Sequence, residues 1–299
     1  MNSLLSVVIL TYNEEKNLEV CLKSVIGLTS NIFIVDSFSS DQTLEIAKRY
    51  TKYAYQRKFI AHSEQLNWVL ENLPIETPWV MRLDADEYIT KDLADEITVF
   101  LPNVSQEVFG LYIKRRVIFM ERWMKHGGYY PIELLRIWRK GAALLENIVS
   151  VDQHIVLRQG KKALLKHDIV DKNNKDLLWW IDKHNAYSTR EAIYSICVKY
   201  KIGKFEEIHS SILGTQEERK RFLKSNLYMH MPLFIRAVIY FLYRYILRLG
   251  FLDRAEGLCW HFLQGLWYRF LVDAKIYEIN RKIKLYNLSL KQIIEKYVF

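Results

Sequence analysis

The stretch Trp79–Ile89, WVMRLDADEYI, runs from an apolar segment into three carboxylates, Asp84, Asp86 and Glu87, within four residues. Its apolar half is broken only by Arg82 and has the length and composition of a buried strand. Like charges this close repel, so a strand ending in them needs a cation. Mg²⁺ or Mn²⁺ suits such a place, because these hard ions take one or two carboxylates together with phosphate oxygens. A D-x-D pair is weak evidence by itself, since any surface turn can carry one. Its weight comes from the segments around it.

Upstream, short β-rich runs alternate with helical patterns. LLSVVIL (4–10) reads as a buried strand, and EKNLEVCLKSVIG (15–27) as a helix closed by Gly27. NIFIVDS (31–37) is a second strand, and DQTLEIAKRY (41–50) a second helix with Asp41 near its start. YAYQ (53–56) reads as a short strand and SEQLNWVLENL (63–73) as a helix. This alternation predicts an α/β fold with a mostly parallel sheet. Such sheets bind ligands at the carboxyl ends of their strands. The polar residues collect there: Thr11, Tyr12, Asn13 and Glu14 after the first strand, Asp36 at the end of the second, Asp84 and Asp86 at the end of WVMRLD. Three separated segments converge on one crevice, where Asp36 is placed to accept hydrogen bonds from a base or ribose.

Residues 107–170 are β-rich, with a loop ERWMKHGGYYPIE (121–133) whose Gly127-Gly128 pair allows mobility. A long helix is expected over 175–200. Leu177, Ile181 and Ser188–Ala192 have core spacing on it, and Lys183, Tyr187 and Arg190 share another face. The polar stretch 199–222 reads as a linker or a short helical hairpin. The 231–282 stretch is dense in aromatics and broken by arginines, with Arg236, Tyr240, Arg244 and Arg248 recurring every four residues. That pattern predicts an interfacial helix, its apolar side chains in the acyl boundary and its arginines at lipid phosphates. The alternative is an amphipathic helix packed on the enzyme body or in a dimer.

The chain has 299 residues, half of them hydrophobic, enough for one large domain or one domain with an appendage. Residues 1–110 carry 9 Lys+Arg against 16 Asp+Glu, and residues 111–299 carry 34 against 18. A basic surface suits a phosphorylated substrate or an anionic membrane. Nucleic-acid binding would explain the basic part but not the acidic crevice. Three cysteines without metal-like spacing read as thiols in a reducing compartment. The first residues lack the basic start and cleavage site of a secretory signal. No uncharged apolar run reaches the roughly 18 residues of a membrane span.

The segments VVILTYNEEKNLEVCLKSV, IFIVDSFSSDQTLEIA, SEQLNWVL and WVMRLDADEYI occur in an order that resembles family 2 glycosyltransferases with the GT-A fold, a Rossmann-like nucleotide-binding domain with a mixed sheet. The likeness is specific over residues 5–90 and looser to about 195. The whole layout is similar to bacterial enzymes that build lipopolysaccharide core, O-antigen or capsule. It implies a catalytic domain over 1–200, its nucleotide-sugar half about 1–100 and its acceptor half about 101–200. A helical, basic and aromatic membrane-associating region follows over 201–299.

The resemblance implies a metal-dependent, inverting hexosyl transfer from a nucleotide-sugar donor, UDP-linked, to a lipid-linked glycan. The enzyme would lie at the cytoplasmic side of the bacterial inner membrane, held peripherally by the C-terminal helices on an anionic surface, with no nucleic-acid partner. Thr11, Tyr12, Asn13 and Glu14 map to the nucleotide contacts, Asp36 to the base or ribose contact, and Asp41 to a residue that orders that loop. Asp84 maps to the ribose and metal, and Asp86 to the metal ligand. Glu87 either orients Asp86 or faces solvent. Arg57 and Gln65 lie near nucleotide-contacting positions, or on a helix surface. A carboxylate must activate the acceptor hydroxyl. In ENIVSVDQHIVL the candidate is Asp152, with Glu146 and Glu133 as alternatives. His154 or His167 would complete the metal shell or contact phosphate, or be structural. In WWIDKHNAYSTREA (179–192), Lys183, His184 and Arg190 face the diphosphate or acceptor, or pack the helix. Arg115, Arg116, Arg122 and Lys125 meet a lipid diphosphate or water. Two other readings stay open. A sugar-phosphate nucleotidyltransferase should show a glycine-rich phosphate loop, and TYNEEKN has no glycine. A non-catalytic membrane-bound sugar-nucleotide scaffold is the other.

Overall fold

The structure, a computed structural model, describes residues 4–145, 155–200 and 216–286. The chain divides into two compact units. Of the described residues, the first holds 4–125, 129–145 and 155–175, and the second holds His126–Gly128, 176–200 and 216–286.

In the first unit the strands β1 (Leu5–Thr11), β2 (Ile32–Asp36), β3 (Ala54–Gln56) and β4 (Trp79–Asp84) are joined by the helices α1 (Leu18–Val25), α2 (Thr43–Tyr50) and α3 (His62–Asn72). β5 (Glu87–Ile89) and α4 (Lys91–Asn103) follow, then β6 (Val108–Phe119), β7 (Arg122–Trp123), β8 (Ile132–Arg139), β9 (Ala143–Leu145), β10 (Ile155–Leu157) and β11 (Lys161–Lys172). The sheet order is β3-β2-β1-β4-β8-β6-β11-β5, with β7 against β6; β9 and β10 pair separately. β1 runs parallel to β2 and β4, whereas β8 is antiparallel to β4 and β6, so the sheet is mixed.

β1 explains the layering. Its side chains alternate, and both faces are buried. Leu5, Val7 and Ile9 pack with Leu18 and Leu22 of α1 and Leu93 and Ile97 of α4. Val8 packs on the other face with Leu66 and Val69 of α3. A strand buried on both sides reads as a continuous apolar run, which is why LLSVVIL shows no polar alternation.

The second unit is helical: α5 (Leu177–Tyr200), α6 (Gln216–Asn226), α7 (Ile235–Leu242) continued by a π turn (Tyr243–Leu247), α8 (Arg254–Trp260) and, after a second π turn (His261–Trp267), α9 (Tyr268–Tyr286). The division between the compact units near residue 175 places α5 with the C-terminal helices. The reason is packing: Ala192, Ile193 and Ile196 of α5 form a core with Tyr268, Val272 and Ile276 of α9. Leu177, expected in that core, is exposed.

Two expectations are corrected here. The Gly127-Gly128 pair, expected to allow mobility, is tied down at Gly127, which donates to the Arg248 carbonyl at 2.8 Å and accepts from Arg244 Nε at 2.6 Å. At φ +68° it takes a left-handed conformation, and a Cβ there would lie 1.8 Å from the His261 ring. The arginine stripe does not point outward either. Arg236 is buried and its Nε donates to Asp273 at 2.8 Å. Arg244 reaches Gly127 and the Tyr240 hydroxyl. Of the stripe's three arginines only Arg248 is exposed. No helix among the described residues is long and apolar enough to cross a membrane.

His184 and His261 are both held neutral in this unit. Burial pushes each down to about 4. His184 stacks on Trp180, and its Nδ1, 2.8 Å from the Trp180 carbonyl, is the donor, so Nε2 accepts from Gln264. Unfolded histidine takes up its proton near pH 6.5, whereas these wait until about pH 4. Stability from this source is therefore complete above about pH 6.5 and is lost between there and pH 4, with a slope of about 1.4 kcal/mol per pH unit for each histidine. Urea unfolding across pH 7 to 4.5 should show that fall, and His184→Gln should remove about one proton from the slope.

Candidate active site

The carboxyl ends of β1, β2 and β4 lie side by side. Thr11 is in register with Asp36, and Leu10 with Asp84. Local chemistry then zips the two loops that follow β1 and β2. Thr11 donates its hydroxyl to Asp36 at 3.1 Å. The Asn13 amide donates to Ser39 Oγ, and Ser40 N to Asn13 Oδ1, both at 2.8 Å. The Glu14 amide donates to Thr43 Oγ1 at 2.7 Å. Asp41 caps the start of α2, accepting from the amides of Thr43 and Glu15. Burial works against its charge, but these hydrogen bonds outweigh it and hold its carboxyl below the usual range.

Asp36 is fully buried and accepts from Thr11, from the amide and hydroxyl of Ser39, and from Gln56. Its carboxylate binds the loops together. What the loops turn outward is aromatic: Tyr12 is 59% exposed and Phe38 58%. Phe38 has φ 60° and Asn13 φ 53°. Asparagine tolerates that conformation, but for phenylalanine it costs on the order of 1–2 kcal/mol. Strain of this kind collects where a loop meets a ligand. Sequence reasoning missed Phe38; two loop residues in IVDSFSS that leave a large apolar side chain after a strand end were the available signal.

Arg57 and Gln65 are brought together, at 3.1 Å from Nη1 to Oε1, and Arg57 also meets Glu64 at 2.6 Å. Gln65 is buried and donates to Ser37 Oγ at 3.3 Å. The pair therefore buttresses the β2 loop.

Asp84, Asp86 and Glu87 part company at the β4–β5 turn. One Asp84 oxygen accepts from Arg82 at 3.0 Å, the other from Arg136 of β8 at 3.1 Å. Burial opposes the charge on Asp84, but Arg82 and Arg136 outweigh it and hold the carboxyl well below the usual range. Glu87 does not face solvent or orient Asp86. It is buried, with one oxygen on Arg136 at 2.5 Å and the other accepting from the Asp84 amide at 3.1 Å. Burial pushes Glu87 up to about 8; Arg136 pulls the other way, and Asp84 and Asp171 add to the rise. Arg136 was also missed. An arginine inside the apolar run of a strand, as in ELLRIWRK, requires a carboxylate partner, and that was the readable clue.

Asp86 lies in the turn and accepts from Asn173 Nδ2 at 2.9 Å through Oδ2. Its Oδ1 has no protein donor among the described residues. Glu14 is close enough for their charges to interact. Burial first, then Asp86, raises the Glu14 carboxyl, while Lys175 at 2.7 Å and Asn17 at 2.7 Å hold it down. The segment after β11 thus supplies Asn173 and Lys175 to the same spot, a contribution hidden by separations of 87 residues from Asp86 and 161 from Glu14. A cavity of about 190 Å³ adjoins Asp86, lined by Asn17, Cys21, Tyr88 and Lys172. It is smaller than the roughly 300–1,000 Å³ of small-molecule sites, so it serves only part of a ligand.

The donor set fits a hard divalent ion held lightly. Among the described residues no three His, Cys, Asp or Glu side chains form a closed metal cluster. Asp84 already accepts from two guanidiniums, Arg82 and Arg136. Asp86 Oδ1 supplies one hard oxygen, and Mg²⁺ and Mn²⁺ accept that arrangement when phosphate and water fill the remaining positions.

Other expected residues lie elsewhere. Asp152, Gln153, His154 and Glu146 fall outside the described residues. Glu133 stands opposite Lys114 in the β6–β8 ladder. His167 is not at the crevice: its Nδ1 meets Glu96 of α4 at 2.9 Å, a structural pairing. Lys183 belongs to the second unit, over the Trp179 ring at 4.6 Å. Arg115 and Arg116 pair with Asp171 and Asp168, and Arg116 and Lys125 both cover Trp123.

The sequence pattern of glycosyl transferase family 2 matches residues 6–172. The chain belongs to that family. The match spans the whole mixed sheet, so the fold is a GT-A-like α/β fold followed by C-terminal helices. An uncharacterized glycosyltransferase of Rickettsia typhi is 25% identical over 196 residues, 63% of this chain and 66% of the relative. One from Rickettsia conorii is 26% identical over 63% of this chain and 69% of its own length. This chain thus spans just under two thirds of the length of the first of these. Among solved structures, Staphylococcus aureus TarS 1–349 in complex with UDP-GlcNAc is similar at a TM-score of 0.47 and 16% identity, over 93% of this chain and 91% of that one. Glucosyl-3-phosphoglycerate synthase from Mycobacterium tuberculosis, with Mg²⁺ and UDP, aligns over 38% and 43% at a TM-score of 0.32 and 19% identity.

Removing Arg136 strands the buried Glu87 and leaves the half-buried Asp84 with one cation fewer. Arg136→Met should cost on the order of 3–5 kcal/mol in urea unfolding. Adding Glu87→Gln, which removes the stranded acid, should recover part of the loss. No loss in the single variant would contradict the clamp.

Proposed function

We propose that this chain transfers a hexosyl group from a UDP-linked donor, with inversion, to a lipid-linked glycan acceptor in bacterial surface polysaccharide synthesis. The observation that carries the reading is the convergence of β1, β2 and β4 on Asp86, whose Oδ1 remains available while Asp84 and Glu87 are tied to Arg136. Tyr12 and Phe38 offer aromatic faces for the base. Asp36 and Asp41 hold the loops that present those rings. Asp86 would hold Mg²⁺ or Mn²⁺, which when bound offsets the charge of the departing diphosphate. Lys175 stands beside Glu14 with a positive charge that the diphosphate can share. Asp152 is the proposed base for the acceptor hydroxyl.

Membership of glycosyl transferase family 2 and the relatives named for glycosyl transfer support the reaction class. The enzyme's place is the cytoplasmic face of the bacterial inner membrane, peripherally attached. Family membership leaves no observation in favour of sugar-phosphate nucleotidyl transfer.

The test is turnover. Full-length protein with UDP-sugars and Mn²⁺ should release UDP, and Asp86→Ala should lower that release by at least 100-fold. Asp152→Asn should suppress transfer while leaving nucleotide binding intact. Unchanged release in Asp86→Ala would remove the metal role. Nucleotide binding without any turnover would favour the scaffold reading.

A further inference from the structure

The C-terminal helices are amphipathic in the reverse sense. In α7 and the π turn that continues it, Ile235, Val238, Ile239, Leu242, Ile246 and Leu247 are all exposed, Leu247 by 73%. They recur at three- and four-residue steps and so form one face about 20 Å long. The opposite face is where the polarity lies. Arg236 is buried against Asp273, and Arg244 is bound to Gly127 and Tyr240. A soluble helix buries its apolar stripe and exposes its arginines; this one does the opposite. The turn that follows continues the pattern, with Leu249, Phe251 and Leu252 exposed.

An apolar face of this length on a soluble surface marks a contact. The charges around it say which kind. Residues 231–270 contain two acids, Asp253 and Glu256. Asp253 is turned inward to His126, at 2.6 Å from its Nδ1. Arg248 and Arg254, on either side of the exposed Leu249–Leu252 turn, both face outward. An apolar strip edged by exposed cations matches a bilayer boundary, acyl chains beneath and anionic headgroups at the rim. The strip is too short to span, and no described helix crosses.

We infer that the Ile235–Leu252 face of the second unit inserts in plane into an anionic lipid surface, with Arg248 and Arg254 at the headgroups and Arg236 and Arg244 kept inside the protein as its scaffold. The inference deepens the membrane reading above, and it assigns the lipid contact to the aliphatic face instead of the arginine stripe. It is tested without donor or acceptor, so its failure is distinguishable from a failure of glycosyl transfer.

Co-sedimentation of the full chain would be measured with vesicles of phosphatidylglycerol and phosphatidylcholine, and with phosphatidylcholine alone. Binding to the anionic vesicles is expected, at least 10-fold weaker for Ile246→Ser/Leu247→Ser. Both positions are exposed, so the melting temperature should stay within a few degrees. Arg248→Glu should reduce the preference for anionic over neutral vesicles and leave the apolar contribution. Equal binding by the serine variant overturns the proposal. So does a wild-type chain that ignores vesicles and forms a dimer which the same variant dissolves, since the face would then belong to a second copy.

Discussion

One buried guanidinium lets a strand end in crowded acid. Arg136 reaches both Asp84 and Glu87 from the neighbouring strand β8, and Arg82 takes the remaining oxygen of Asp84. Two of the three carboxylates of the D-A-D-E turn are thereby spent on holding the turn. The third, Asp86, lies in the turn, and its Oδ1 has no protein donor among the described residues. The crowding is therefore useful in two ways: most of it fixes geometry, and the residue left over is the one proposed to hold the metal. Breaking a buried pair of this kind costs several kcal/mol because a charge is stranded, which makes the turn's shape insensitive to what binds there.

The same division of labour runs through the β1 and β2 loops. Thr11 bonds Asp36, Asn13 bonds Ser39 and Ser40, and Asp41 bonds Glu15 and Thr43, so the polar groups of the two loops are spent on each other. Tyr12 and Phe38 remain exposed. A loop pair closed by its own polar groups is preorganised, so little ordering is left for the moment of binding. Lys175 and Asn173 close the third side, from a segment that follows the last strand of the sheet.

Much of the catalytic domain was legible in the sequence. β1, β2 and β4 are apolar runs of strand length, and their polar ends stand in register as the alternation required. Asp86 could be read for the same reason. The partners that arrive from far along the chain could not. Arg136 and Lys175 lie on β8 and beyond β11, and the antiparallel placement of β8 beside β4 has no local signature. Glu87 misled because charge alone suggested solvent, whereas its burial depends on Arg136. The tail misled through periodicity, which gives the spacing of a stripe but not the side that faces the protein. Asp273 and Gly127 decide that by taking the arginines inward.

In the second unit α7 therefore turns its arginines inward and an aliphatic face outward, while the first unit carries a crevice whose acids are largely paired with protein. A buried arginine–carboxylate pair stands in each, Arg136 with Glu87 and Arg236 with Asp273. The central claim concerns the crevice, and calorimetric titration of UDP into the wild-type chain tests it most directly. The account predicts saturable binding with Mn²⁺ that weakens by at least 10-fold when the metal is removed with EDTA. Binding of equal strength with and without the metal, or none in either case, would contradict it.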